Sequence, residues 1–219
     1  MSSIFSILIK EIGYDVMQVF GDTGTCKSAF ALYLTSEVVK YGKVLYIDTE
    51  LNLPSTPPES DRVKLLHLMD FNSLSSWIRS LVKSSENYKL IVIDSITAPV
   101  ESRLSELKLD EKGKAFQEMY ALMYRLKYYT LMRKAFVLVI NQISYDFSGS
   151  AGSELDKVKP FGGKSKHLSK VALFSRLDKS TPELTKASFV VWKGRKWGRG
   201  KKLIEVYVSS KGVEARWVA

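Results

Sequence analysis

The 219-residue sequence predicts an α/β fold in which a mainly parallel central sheet is flanked by helices. Two observations carry this expectation. Short apolar runs at 16–20 (VMQVF), 43–48 (KVLYID), 89–94 (KLIVID) and 135–140 (AFVLVI) alternate with segments of helical periodicity. The features that look chemical also fall at the ends of these runs: GDTGTCKS after the first, Asp48 to Glu50 after the second, Asp94 closing the third, Asn141-Gln142 after the fourth. Parallel sheets collect ligands at the carboxyl ends of their strands, so the coincidence points to the same topology.

Taken in order, a short N-terminal segment precedes the first strand, GDTGTCKS turns, and residues 28–41 carry apolar side chains at helical spacing. Residues 43–48 form a strand ending in acid, expected to neighbour the strand that feeds the turn. The Pro/Ser-rich stretch 53–60 is a loop. A strand at 63–68, a helix at 74–82 and the strand 89–94 follow. Residues 101–134 read as mostly helical, with Phe116, Met119, Met123 and Leu126 at steps of three and four forming one apolar core stripe. After the strand 135–140 comes 144–169, rich in Gly, Ser and Lys and without period; such a length inside a compact domain points to function or mobility. The tail alternates strand-like runs (171–177, 188–192, 203–208) with polar turns, predicting C-terminal β-hairpins at one sheet edge. With no internal repeat and no linker, residues 1–219 read as a single domain.

Composition narrows the class. With 45% hydrophobic residues the chain can fill a core unaided, and its apolar runs are too short to span a bilayer, so no membrane partner is expected. Its single cysteine, Cys26, excludes an internal disulfide. No charged-then-apolar leader opens the sequence, which predicts a reducing, cytoplasmic location. The formal charge is +10, and six of the ten residues in 193–202 (KGRKWGRGKK) are Lys or Arg. That cluster fits a polyanion partner or a solubilising surface.

GDTGTCKS nearly matches GxxxxGK[ST], in which turn N–H groups surround phosphates, the lysine reaches the β and γ phosphates and the hydroxyl ligates magnesium. Gly21, Lys27 and Ser28 match; Cys26 stands where the last glycine belongs. A Cβ forced to positive φ there costs roughly 1–2 kcal/mol, enough to weaken nucleotide binding without abolishing it. A thiol beside a helix N-terminus and a lysine is also a candidate for a lowered pKa. Asp94 suits a magnesium-side acid or a helix N-cap. Glu50 suits the group that orients the attacking water or is a surface acid, and Asn141 and Gln142 are neutral amides able to sense a γ phosphate.

The order of phosphate loop, YIDTE (46–50), LIVIDSIT (90–97) and VINQ (139–142) resembles the core of RecA/RadA-type recombinase ATPases. It looks most like the short archaeal RadA paralogues (RadC- and KaiC-like), and VYVSSKGVEA (206–215) resembles the closing strand and turn of that core. The resemblance implies a RecA-like P-loop NTPase fold with ATP and magnesium as cofactors. Gly21, Asp22, Thr23, Gly24, Thr25, Cys26, Lys27 and Ser28 would cradle the nucleotide, with Ser28 and Asp94 at the metal and Glu50 as catalytic carboxylate. Gln142 would couple the γ phosphate to the segment 143–169, which in RadA-like proteins contacts single-stranded DNA and here carries Lys157, Lys159, Lys164, Lys166 and His167. KaiC-like proteins have a K-x-R element acting on the neighbouring subunit's nucleotide, which implies a trans-acting role for Lys193 and Arg195 in a homo-oligomer. For the same cluster a DNA-backbone patch (Lys196, Arg199, Lys201, Lys202) and a solvated hairpin tip remain open.

The chain departs from full-length RadA in having neither the N-terminal helical DNA-binding domain nor the linker that joins subunits into filaments. The implied function is therefore that of a DNA repair and recombination ATPase that binds single-stranded DNA and modulates a RadA-type recombinase. A KaiC-like regulatory ATPase acting on protein partners and a nucleotide-binding scaffold that no longer hydrolyses ATP are the alternatives.

Overall fold

The computed structural model describes residues 3–53, 55–145, 153–162 and 167–219. Helix α1 (Ile4–Ile12) leads into β1 (Val16–Phe20), α2 (Lys27–Val38), β2 (Val44–Asp48), β3 (Val63–His67), α3 (Phe71–Lys83) and β4 (Leu90–Asp94). Then come α4 (Thr97–Glu106), a 3-10 turn (Leu109–Glu111), α5 (Lys112–Arg133) and β5 (Phe136–Asn141). The chain continues through β6 (Ile143–Tyr145), α6 (Glu154–Lys157), β7 (Val158–Pro160), β8 (Val171–Ser180), β9 (Leu184–Lys193), β10 (Lys202–Ser209) and β11 (Gly212–Trp217).

Nine strands form one sheet in the order β11-β10-β9-β8-β1-β5-β4-β2-β3. From β8 to β3 all neighbours are parallel, while β9, β10 and β11 run antiparallel. Every residue of β1, β2, β4 and β5 is buried, as expected of parallel strands covered on both faces. Helices α1 and α2 cover one face, where Leu8, Phe30, Leu34, Tyr46, Leu138 and Phe189 pack. The other face meets α3, α4 and α5 through Ile78, Val100, Met123 and Leu126. Met119, Met123 and Leu126 of the expected stripe are fully buried, and Phe116 packs at its rim.

Several expectations need revision. Strand β2 does not neighbour β1; β5 and β4 stand between them. β1, β5, β4 and β2 are all fully buried, and the half-exposed β3 takes the edge beyond β2. The segment 101–134 is two helices, because the chain is extended at Leu107 and Lys108 before α5 begins. The aperiodic stretch 144–169 contains short elements, with β6 and β7 pairing as a hairpin. Leu155 and Val158 of this stretch, with Ile143 just before it, pack with Phe20, Phe174, Val190 and Trp192. The C-terminal hairpins are present, and β8 joins them to β1, so they extend the sheet whose β1 leads into the turn 21–26.

Helix α1 was not anticipated, although its signals are readable. Ser3 caps it by accepting from the Ser6 N–H, Ile4, Phe5, Leu8 and Ile12 supply a buried face, and Gly13 ends it at φ 82°. Among the described residues no helix is long and apolar enough to cross a membrane.

Two stability predictions follow from this architecture. Leu34, fully buried on α2, should cost about 2–5 kcal/mol when changed to Ala in urea denaturation. Asp70 caps α3 by accepting from the Ser73 N–H at 2.8 Å. Hydrogen bonds with Ser73, its hydroxyl first and its N–H next, hold the Asp70 carboxyl below its ordinary 3.8. A depressed folded pKa stabilises above the unfolded value and is lost as pH falls through the folded one. Asp70→Ala should therefore cost about 1 kcal/mol at neutral pH, and the two proteins should converge in acid below 3.8.

Candidate functional site

Strand β1 delivers the chain into the turn 21–26 at the carboxyl end of the sheet, and α2 begins at Lys27. Gly21 is required by crowding, since a Cβ there would collide with the Ser175 carbonyl. Cys26 occupies the left-handed region at φ 60°, ψ 21°, so the position is one that favours glycine. Its side chain makes no capping bond, which leaves the first N–H groups of α2 open toward the cleft.

The Lys27 amine lies folded onto the turn. It donates to the carbonyls of Gly21 at 2.9 Å and Asp22 at 2.5 Å and to the Thr25 hydroxyl at 3.3 Å. Thr25 in turn donates to the Asp22 carbonyl at 2.7 Å, and Ser175 of β8 donates to the Thr25 carbonyl. Burial lowers the Lys27 pKa, opposed by the charges of Asp94, Glu50 and Asp22. The turn is thus braced from within, around a cation held by carbonyl oxygens.

The acidic side is built from β2 and β4, which pair Asp48 with Asp94. Asp94 is buried; it accepts from the Tyr46 hydroxyl at 2.7 Å, and the Ser28 hydroxyl lies beside it. Burial raises its pKa, and these two donors work against that rise. Asp48 shapes the next turn, accepting from the N–H groups of Glu50 at 3.1 Å and Leu51 at 2.9 Å and lying 3.5 Å from His67. Thr49 is bonded both ways to Ser95, through its own hydroxyl to the Ser95 carbonyl at 2.7 Å and from the Ser95 N–H at 2.9 Å. Glu50 therefore reaches the cleft across β4, where Ser95 donates to its Oε1 and Asn52 to its Oε2 at 3.0 Å.

The neutral amides at the end of β5 divide. Asn141 belongs to the scaffold: its Oδ1 accepts from the Thr97 hydroxyl at 2.5 Å and its Nδ2 donates to the Phe161 carbonyl at 3.0 Å. The Gln142 N–H is held by Thr97 at 2.9 Å, and its side chain lines the cleft. That cleft has a volume of about 320 Å³ and brings together Lys27, Ser28, Glu50, Asp94 and Gln142. Thr185 of β9 and Val208 of β10 close its far side. Tyr46, Thr49, Ser95, Asn52 and Thr97 are the supporting residues that sequence reasoning missed.

Among the described residues no group of three His, Cys, Asp or Glu could hold a metal by itself. The hydroxyl of Ser28 against the carboxylate of Asp94 nevertheless fits magnesium, which takes one or two protein oxygens and completes its shell with phosphate and water.

Outside the cleft, the basic candidates separate. Lys193 sits eight residues along β9 from Thr185, roughly 27 Å at about 3.4 Å per residue, and donates to the Ser169 carbonyl at 2.6 Å. Lys193 and Arg195 are therefore too far away to act on the cleft of their own chain. Lys196 pairs with Glu11, Arg199 with Asp156 at 3.3 Å, and Lys202 with Glu205 at 2.9 Å. These acids partner three of the cations expected of a DNA-backbone patch, and Arg195 and Lys201 are exposed. Arg199 also donates to the Leu155 carbonyl and covers the Trp192 ring, which joins this turn to α6 and thus to Lys157 and Lys159. His167 is exposed, while Lys164 and Lys166 lie outside the described residues. Tyr145 of β6 reaches back to the loop, its hydroxyl donating to the Asp22 carboxylate at 3.1 Å.

No protein-family model matches the chain. It is 28% identical over 195 residues to the DNA repair and recombination protein RadB of Methanococcoides burtonii, covering 82% of this chain and 80% of that one. A protein of the same name from Archaeoglobus fulgidus is 27% identical over 211 residues, covering 91% and 88%. The crystal structure of the RadB recombinase superposes with a TM-score of 0.67 at 24% identity, covering 94% and 95%. The fold is thus the RecA-like one of that structure, and the resemblance carried by the four motifs extends over most of the chain.

Burial pushes the Cys26 thiol above its ordinary 9.0, with Lys27 pulling the other way, so the expectation of an acidified thiol is overturned. At about pH 7.5 Cys26 should react with iodoacetamide more slowly than glutathione does, and quicken only as the pH passes 9.0. Cys26→Gly removes roughly 1–2 kcal/mol of backbone strain and adds about 0.5–1 kcal/mol of chain entropy. It should therefore unfold in urea no earlier than the wild type, whereas the β-branched Cys26→Val should unfold earlier.

Proposed function

We propose that this chain is a magnesium-dependent ATPase of DNA repair and recombination, working as one RecA-like unit across residues 1–219, that binds single-stranded DNA and modulates a RadA-type recombinase. The observation that carries the reading is the convergence, in one cleft, of Lys27, Ser28, Glu50, Asp94 and Gln142 from the ends of β1, β2, β4 and β5. The names of the two curated relatives, DNA repair and recombination proteins, support the biological context. A cytoplasmic setting goes with that role.

In this reading the phosphates of ATP rest against the N–H groups of residues 21–28 and the open N-terminus of α2. Lys27 exchanges loop carbonyls for the β and γ phosphates, an exchange of dipoles for a full negative charge. Ser28 and Asp94 would hold magnesium, whose charge neutralises the phosphates when it is bound. Glu50 takes a proton from the attacking water as the oxygen bonds to the γ phosphorus, the bond to the bridging oxygen breaks and ADP leaves. Its two oxygens already receive Ser95 and Asn52, which orients the carboxylate and leaves lone pairs for the water. Gln142 meets the γ phosphate and passes its presence to β6 and the segment beyond.

Single-stranded DNA is assigned to that segment through Lys157, Lys159, Lys164, Lys166 and His167, with Arg195 and Lys201 on the adjoining turn and Lys196, Arg199 and Lys202 contributing positive potential while paired. Lys193 and Arg195 would act on a neighbouring subunit in a homo-oligomer. One observation favours a second reading, a KaiC-like regulatory ATPase with protein partners: three cations of the 193–202 cluster are matched by acids of the same chain.

Turnover and DNA binding separate the readings. Wild-type protein should hydrolyse ATP with magnesium; Lys27→Ala should lose binding and turnover, and Glu50→Gln should keep binding while losing about a hundredfold or more in turnover. Absence of wild-type turnover would leave only a scaffold. Affinity for oligo(dT) should fall steeply as salt rises, with log K linear in log salt at about −0.7 per phosphate contact. No binding at low salt would favour protein partners instead.

A further inference from the structure

Tyr46 on β2 is fully buried in the core beneath α2. Packing alone would be served by phenylalanine, which brings no polar group to satisfy. The tyrosine hydroxyl is spent on one contact, a 2.7 Å bond to Oδ2 of Asp94. Strand register explains how it gets there. Tyr46 is paired with Val92 on β4, and Asp94, two residues further, shares the face of Val92, so an aromatic side chain reaches it diagonally. Asp48, which is paired directly with Asp94, is already committed to the turn N–H groups of Glu50 and Leu51.

We infer that Tyr46 is the positioning residue of the metal-side acid: by holding one carboxylate oxygen from below, its hydroxyl restricts Asp94 to the orientation in which it meets Ser28. The inference rests on the reading of Ser28 and Asp94 as the magnesium pair. Partners that orient a ligand carboxylate set metal affinity without touching the metal, typically by about 10–100-fold. The nucleotide's other contacts, from the loop N–H groups and Lys27, do not pass through Tyr46.

The test is binding of the fluorescent nucleotide mant-ATP to the full chain, with magnesium titrated in one series and EDTA present in another. Tyr46→Phe, which deletes only the hydroxyl, should raise the magnesium midpoint about tenfold or more while the affinity in EDTA stays within about twofold of wild type. Asp94→Asn is the reference for loss of the acid. A magnesium midpoint unmoved by Tyr46→Phe but moved by Asp94→Asn would refute the role of Tyr46 and leave the metal reading standing. An equal loss of affinity with and without magnesium would also refute it, because that is the signature of a merely structural hydroxyl. A wild-type protein whose mant-ATP binding ignores magnesium would overturn both.

Discussion

The carboxyl end of the sheet is organised around a carboxylate kept in a dry place. Asp94 is buried at the end of β4, and burial disfavours its charged form. What offsets that cost comes from two elements at once: the Tyr46 hydroxyl from β2, and, from the start of α2, the Ser28 hydroxyl and the Lys27 cation, whose field reaches it. None of these can be supplied unless β2 lies beside β4 and the start of α2 lies over their ends. The parallel order of the sheet and the chemistry of the cleft are thus the same requirement. Thr49 and Ser95 extend it by bonding the turn after β2 to the turn after β4, which fixes where Glu50 stands.

The turn 21–26 shows how a braced backbone tolerates an unfavourable residue. Cys26 sits at a positive φ, at roughly 1–2 kcal/mol, in a turn whose shape is already determined by Gly21 against Ser175, by Thr25 on Asp22 and by Lys27 on the loop carbonyls. The surroundings over-determine the backbone, so one strained residue can persist. Partial burial pushes its thiol pKa upward, the opposite direction from the reactive cysteines that share a helix N-terminus with a lysine.

The central strands were legible because they are apolar on both faces and end in distinctive residues, and their positions differ from expectation by a residue or so. The cleft residues were legible for a related reason: Lys27, Ser28, Glu50, Asp94 and Gln142 each follow a strand, and strand ends converge. Lateral order was not legible, since nothing in KVLYID says that β4 and β5 will come between it and β1. Supporting residues were hidden by the same gap. Tyr46 reads as core filler and Ser95 as a linker until β2 and β4 are adjacent, and Asn141 cannot be told from Gln142 until Thr97 and Phe161 are beside it. The partners of the basic cluster were only partly legible: Glu205 lies three residues from Lys202 on β10, whereas Glu11 and Asp156 are distant in sequence from Lys196 and Arg199.

The arrangement is a cleft in which Lys27 is held on the carbonyls of its own turn and whose acidic half is braced by β2. The most direct measurement is calorimetric titration of the wild-type chain with ATP in the presence of magnesium. The account predicts saturable binding at one site per chain that is displaced by ADP. Absence of heat and of competition across the titration would contradict it.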